Sequence, residues 1–223
     1  MPFSEILMNG ADLCLLCTFV YSLFVYKHAN DNIRLICWFI FISFATQFIS
    51  LLLWVYSLNN LVLLHISVPL TFTTLVLFYR GVLGAYINPK IFNRCIMVFL
   101  VFCVVNSVFI QDIHSFNSNG LSAEAVVMLI LSLITYGLPL YQKEEKPPYY
   151  MVTLNLVNTG VFLYFTSNLL LFFFGTTIMH HFSIQLSQNS WILHSAFSIM
   201  LYSLIFAGLW KYPSKKKVAT ALN

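Results

Sequence analysis

The chain has 223 residues, of which 60% are hydrophobic and 8% charged, with a mean hydropathy of +0.84. Soluble domains carry about a quarter charged residues, so this composition excludes a water-soluble globular protein and points to a membrane protein. The net charge of +4 comes from the rims of apolar segments and is no sign of nucleic-acid binding.

A spanning helix needs about 20 mostly apolar residues. On that measure the chain divides, in order, into segments at 5–27, 34–57, 61–86, 89–111, 121–142, 149–175 and 188–211. The expected fold is therefore an all-α bundle of seven transmembrane helices. Residues 1–212 form a single domain in this reading, and 213–223 a short basic cytoplasmic tail. The opening stretch MPFSEILMNGAD lacks the basic region of a signal peptide and carries Glu5 and Asp12, so the first segment is expected to stay as a helix. The breaks have turn chemistry: HANDN at 28–32, SLNN at 57–60, NPK at 88–90, QDIHSFNSNG at 111–120 and KEEKPP at 143–148. Pro89 suits a helix start. The softest boundary is TTIMHHFSIQLSQN at 176–189.

Orientation follows from the cations. Alternate loops assign Lys27, Arg34, Arg80, Lys90, Arg94, Lys143, Lys146, Lys211 and Lys215–Lys217 to one side and no Lys or Arg to the other. The positive-inside rule puts the loaded side in the cytoplasm, with the N-terminus outside. The split also favours an odd number of spans, and the run at 215–217 suits anionic headgroups. Cys14, Cys17, Cys37, Cys95 and Cys103 all fall in apolar segments, where free cysteine behaves as a small apolar residue.

Polar residues inside spans are expensive and tend to face the bundle interior. Helix 1 carries Glu5, Asn9 and Asp12 on one face, and helix 2 carries Ser43, Gln47, Ser50, Trp54 and Ser57. Helix 6 carries Asn155, Asn158, Thr159 and Thr166; helix 7 carries Gln188, Trp191, Ser195, Ser198 and Tyr202, with His194 at the margin. The Ser and Thr residues suit hydrogen bonding between helices. His65, Glu124 and His194 begin helices 3, 5 and 7, each about 6–8 Å below its helix start at 1.5 Å per residue. Asp12 lies deeper, and Asn106 and Asn168 approach that level from the opposite direction. Two histidines and a carboxylate suit a divalent metal such as zinc, a hydrogen-bonded cluster, or the wall of a ligand pocket. His65 and His194 are also the only histidines placed to pair across a haem. The middle of helix 7 has no lysine, which excludes a retinal Schiff base of the microbial rhodopsin kind. No nucleotide-binding, zincin or nucleophile-elbow motif is present.

The stretches LLHISVPL (63–70), EAVVMLILSLITYGL (124–138), VFLYFTSNLLLFFFG (161–175) and WILHSAFSIMLYSLIFAGLWK (191–211) resemble a family of uncharacterised bacterial seven-transmembrane inner-membrane proteins. These are similar in shape to the seven-pass input modules of bacterial sensor kinases. The resemblance implies a sensory role by association, with output through a separate cytoplasmic protein. Seven-pass ceramidase-like hydrolases are a second comparison. They hold zinc with three histidines, two of them as HxxxH on the last helix near the cytoplasm, whereas this chain has His194 and Ser198 there and its polar set on the outside.

The leading expectation is a receptor-like sensor binding a small ligand or lipid group in an outward-facing polar pocket. His65, Glu124 and His194 would line it, supported by Asp12, Gln47 and Asn168. The alternative is a metal-dependent intramembrane hydrolase using His65, Glu124 and His194 as ligands and Asp12 as general base. A transporter is disfavoured, since seven spans do not divide into inverted repeats.

Overall fold

The computed structural model describes residues 3–137, 148–181 and 184–212. Within them run seven α-helices: α1 (Phe3–Tyr26), α2 (Asp31–Val55), α3 (Val62–Leu83), α4 (Pro89–Val105), α5 (Ser118–Gly137), α6 (Pro148–His181) and α7 (Ile184–Lys211). Each is long and apolar enough to cross a membrane, α4 with the π-helical turn Asn106–Ile110 that extends it. The chain is an integral, multi-pass membrane protein of seven helices.

Local chemistry explains the helix starts. Asn30 caps α2 through its side chain, which accepts from the Ile33 amide (3.0 Å). Asn88 does the same for α4 by accepting from the Lys90 amide, with Pro89 in the first helical position. Both capping side chains satisfy amides that a helix end leaves bare. Several boundaries differ from expectation: α2 begins at Asp31, not 34, α3 ends at Leu83, not 86, and α7 begins at Ile184, not 188. Helix α5 begins at Ser118, not 121, because Asn117 acts as its cap and accepts from the Gly120 amide (3.1 Å). Helix α6 runs on to His181, through part of the stretch expected to be a loop. The Thr176 hydroxyl, 3.0 Å from the Ser118 hydroxyl, ties that extension to α5. The expected tail 213–223, the KEEKPP turn up to Pro147, and the side chains of Gln188, His180 and His181 lie outside the described residues.

Six helices close into a ring: α1 packs on α2, α2 on α3, α3 on α5, α5 on α6, α6 on α7, and α7 back on α1. Helix α4 stands outside it, packed chiefly against α3. Its sequence shows why. Phe92, Ile96, Phe99 and Cys103 form one buried stripe at helical spacing, and Phe99 stacks on Phe72 with ring centroids 3.6 Å apart. The other faces, with Met97, Val98, Val101 and Val104, are exposed and apolar, as a lipid-facing surface is. The closest seam of the ring, between α6 and α7, depends on small residues. A methyl group at Gly160 or Gly208 would come within about 3.3 Å of the Leu201 or Thr153 carbonyl oxygen on the facing helix. In lipid, close backbone approach of this kind replaces the hydrophobic drive as the source of helix association.

The described cations, Lys27, Arg34, Arg80, Lys90, Arg94 and Lys211, lie near the helix ends that share one face of the bundle. The π turn and the loop leading to α5 occupy the opposite, cation-free end.

Candidate functional site

At the cation-free end the ring does not fill its own centre. A cavity of about 480 Å³ lies between α1, α2, α3, α5, α6 and α7. A smaller chamber of about 170 Å³ adjoins it, sharing Leu15, Thr46, Gln47, Leu64, Leu121, Tyr164 and Tyr202 as walls. Helix α7 turns Trp191, Ser195, Ser198 and Tyr202 into the larger chamber, at the spacing of one helical face. Helix α1 contributes Met8, Ala11, Asp12 and Leu15, and α2 contributes Thr46, Gln47 and Ser50. Glu5 and Asn9 are exposed and line neither chamber, and Trp54 is 69% exposed.

Four of the six residues expected to form the site meet in these joined chambers. Gln47 Nε2 donates to Asp12 Oδ1 (2.9 Å), bridging α2 and α1. His194 lines the larger chamber. Glu124, buried on α5, lines the smaller one and accepts from the Thr71 hydroxyl of α3 (3.0 Å).

Asn168 stands behind His194. It is fully buried, and its Nδ2 donates to the Tyr164 carbonyl (2.8 Å). That bond turns Oδ1 toward His194 Nδ1, 3.1 Å away. Oδ1 is an acceptor, so the bond assigns the proton to Nδ1. His194 Nε2 then carries a lone pair and has no hydrogen-bond partner among the described residues. Rings surround the imidazole: Trp191 at 5.6 Å, Tyr164 at 5.7 Å and Phe172 at 6.0 Å between centroids. All three line the same chamber.

His65 is elsewhere. Its Nδ1 lies 2.8 Å from the Ser107 hydroxyl and its Nε2 3.2 Å from the Ser115 carbonyl oxygen. Both ring nitrogens are therefore occupied, and His65 lines neither chamber. It belongs to a hydrogen-bonded plug made from the π turn and the following loop. There Asn106 Nδ2 donates to Asn117 Oδ1 (3.2 Å) and Asn119 Nδ2 donates to Asn106 Oδ1 (2.8 Å). Gln111 Nε2 donates to the Phe116 carbonyl (2.7 Å) and lies 2.9 Å from the Ser118 hydroxyl. The Gln111 amide closes the π turn on the Asn106 carbonyl (2.7 Å). Irregular backbone at membrane depth is tolerated where protein satisfies its polar groups, and this network does so. It also sets Phe116 into the cavity wall, 5.5 Å from the Trp191 ring.

The expected metal set of His65, Glu124 and His194 is not assembled. Among the described residues no three His, Cys, Asp or Glu side chains group closely enough to hold a metal ion. His65, Glu124 and His194 lie three, six and ten residues past the first residues of α3, α5 and α7, not at one common distance from a helix start, and which way each faces follows from helix rotation. His65 turns to the plug, Glu124 to Thr71, and His194 to α6. A zinc site would need a free nitrogen on both histidines, and His65 has none.

The aromatic walls Phe116, Tyr164 and Phe172 were not singled out in the sequence. In a chain with 22 Phe and 12 Tyr an aromatic residue carries no signal of its own. The plug left a trace in the density of polar residues in QDIHSFNSNG. Compared with known proteins, the chain matches no family model, no curated protein and no solved structure.

Proposed function

We propose that this protein is a receptor-like membrane sensor that binds a small ligand or lipid group in the joined chambers. One observation carries the reading: Asp12, Gln47, Glu124 and His194, from four helices, line two adjoining chambers that share several walls. A cavity within the roughly 300–1,000 Å³ range of ligand sites, mostly apolar with a few convergent polar groups, is the usual form of a binding site. The cation-free end faces outward by the positive-inside rule, so the ligand enters from outside. The ring helices reach the cation-rich face, where a separate cytoplasmic protein would read their shift. The resemblance to bacterial seven-pass input modules fits this arrangement and supports a location in the inner membrane.

Cysteine accessibility tests the reading. In a variant with its five cysteines removed, Thr46→Cys and Ser198→Cys should react with a membrane-impermeant thiol reagent applied to intact cells. Ser132→Cys, in the packed half of the bundle, should react at least about tenfold more slowly, because reaction tracks exposure. Equal rates at all three positions, or no reaction at the two cavity positions, would remove the outward-opening site.

A further inference from the structure

Several polar groups of the larger chamber turn hydrogen-bond acceptors toward it. The Ser195 hydroxyl donates to the Trp191 carbonyl (3.0 Å) and the Ser198 hydroxyl to the His194 carbonyl (2.9 Å). Each spends its single proton on its own helix and offers only lone pairs to the space. His194 Nε2 offers another. Asp12 Oδ1 accepts from Gln47, and Oδ2 has no partner among the described residues. Donors remain beside them: the Thr46 hydroxyl, the Ser50 hydroxyl, which accepts from Asn60 Nδ2, the second amide hydrogens of Gln47 and Asn60, and the hydroxyl and indole hydrogens of Tyr164, Tyr202 and Trp191.

Charge points the same way. The two chambers contain Asp12 and Glu124 and no Lys or Arg. Asp12 lies about 14 Å along α1, at 1.5 Å per residue. A carboxylate at membrane depth is ordinarily paired, and among the described residues no cation lines its cavity. The opposing wall is aromatic, and ring faces attract cations. A hard metal cation does not suit the chamber, since calcium or magnesium takes six or more oxygen ligands and these walls are mainly carbon.

Resting on the reading of the cavity as a ligand site, we propose that its occupant is a protonated amine with an apolar body. Its N–H groups meet Asp12 Oδ2 and His194 Nε2. The charge lies against the Trp191 and Tyr164 rings, and the apolar part lies along Leu61 and Leu64. A soluble amine and an aminophospholipid headgroup share this chemistry.

The test uses the full chain purified in detergent, with 2-phenylethylamine as probe and two isosteres of opposite or no charge, 3-phenylpropionate and 3-phenyl-1-propanol. The amine should raise the midpoint of thermal unfolding by at least about 3 °C at saturation, and the carboxylate should not. Asp12→Asn should weaken amine binding at least about tenfold while leaving binding of the neutral alcohol unchanged, which also reports that the variant is folded. Trp191→Leu, which leaves every acceptor in place, should weaken it about three- to tenfold. Short-chain phosphatidylethanolamine displacing the probe where phosphatidylglycerol does not would identify a lipid headgroup; displacement by neither would identify a soluble amine. Equal binding of all three probes, or full amine affinity in Asp12→Asn, overturns the amine while leaving the cavity a ligand site. Failure of the amine to bind overturns it as well, and cysteine labelling separately decides whether the cavity is open.

Discussion

The two halves of the bundle treat buried polar groups in opposite ways. In the cation-rich half, Tyr79, Ser132 and Asn158 meet between α3, α5 and α6 with 1% exposure or less. The Tyr79 hydroxyl donates to Asn158 Oδ1 (2.9 Å) and lies 2.7 Å from Ser132 Oγ, while Asn158 Nδ2 donates to the Ser132 carbonyl (3.2 Å). The circuit closes on itself. In the cation-free half, Asp12, Gln47 and His194 each make one bond to protein and leave acceptors facing a cavity. A closed circuit is structural, because every group is satisfied within the fold. An open one is where the proposed ligand would bind.

Three substitutions test that contrast. The largest effect is expected at Tyr79, among the largest fully buried side chains. Tyr79→Ala should cost about 3–4 kcal/mol by loss of packing and of both bonds. Denaturant unfolding in detergent measures it, and a cost below about 1 kcal/mol would show that the packed half is not the stable one. His65→Ala comes next, at about 1–2 kcal/mol, because it leaves the Ser107 hydroxyl and the Ser115 carbonyl without their partner. It should also speed amide hydrogen exchange over 111–119, the plug. If it instead abolished amine binding with no change in exchange there, His65 would belong to the site and not to the plug. The smallest effect is expected at Gln47→Ala, within about 0.5 kcal/mol of the parent, since water in the cavity replaces the lost bond to Asp12. A loss as large as at Tyr79 would mean that the open half is structural too.

The comparison of His65 with His194 shows where sequence reading stops. Both are single histidines in helices that start at the same end, His65 three residues past the first residue of α3 and His194 ten past that of α7. Residue counting placed them at one depth by starting helix 7 at 188, whereas α7 begins at Ile184. Counting could not tell that Ser107 and Ser115 would take both nitrogens of His65, because those serines arrive from a loop and a π turn about 45 residues away in the chain. Asn168 raised the same difficulty: its residue type signals a polar partner, yet only packing shows that it fixes the tautomer of His194 from behind. The helix-7 seam, by contrast, was legible, because Trp191, Ser195, Ser198 and Tyr202 recur at the period of a helix and all reach the cavity.

The amino-acid sequence by itself determined that this is a seven-helix membrane protein, where most turns fall, and which end carries the cations. Those properties depend on local composition, on hydrogen bonding within each helix, and on residues that cap or break it. Only the tertiary structure decided that α4 stands outside a ring of six, that the ring is packed at one end and hollow at the other, and which polar side chains share the hollow. In lipid nearly every face of every helix is apolar, so hydropathy cannot say how a helix is turned. Small residues, caps and hydrogen bonds between distant segments do.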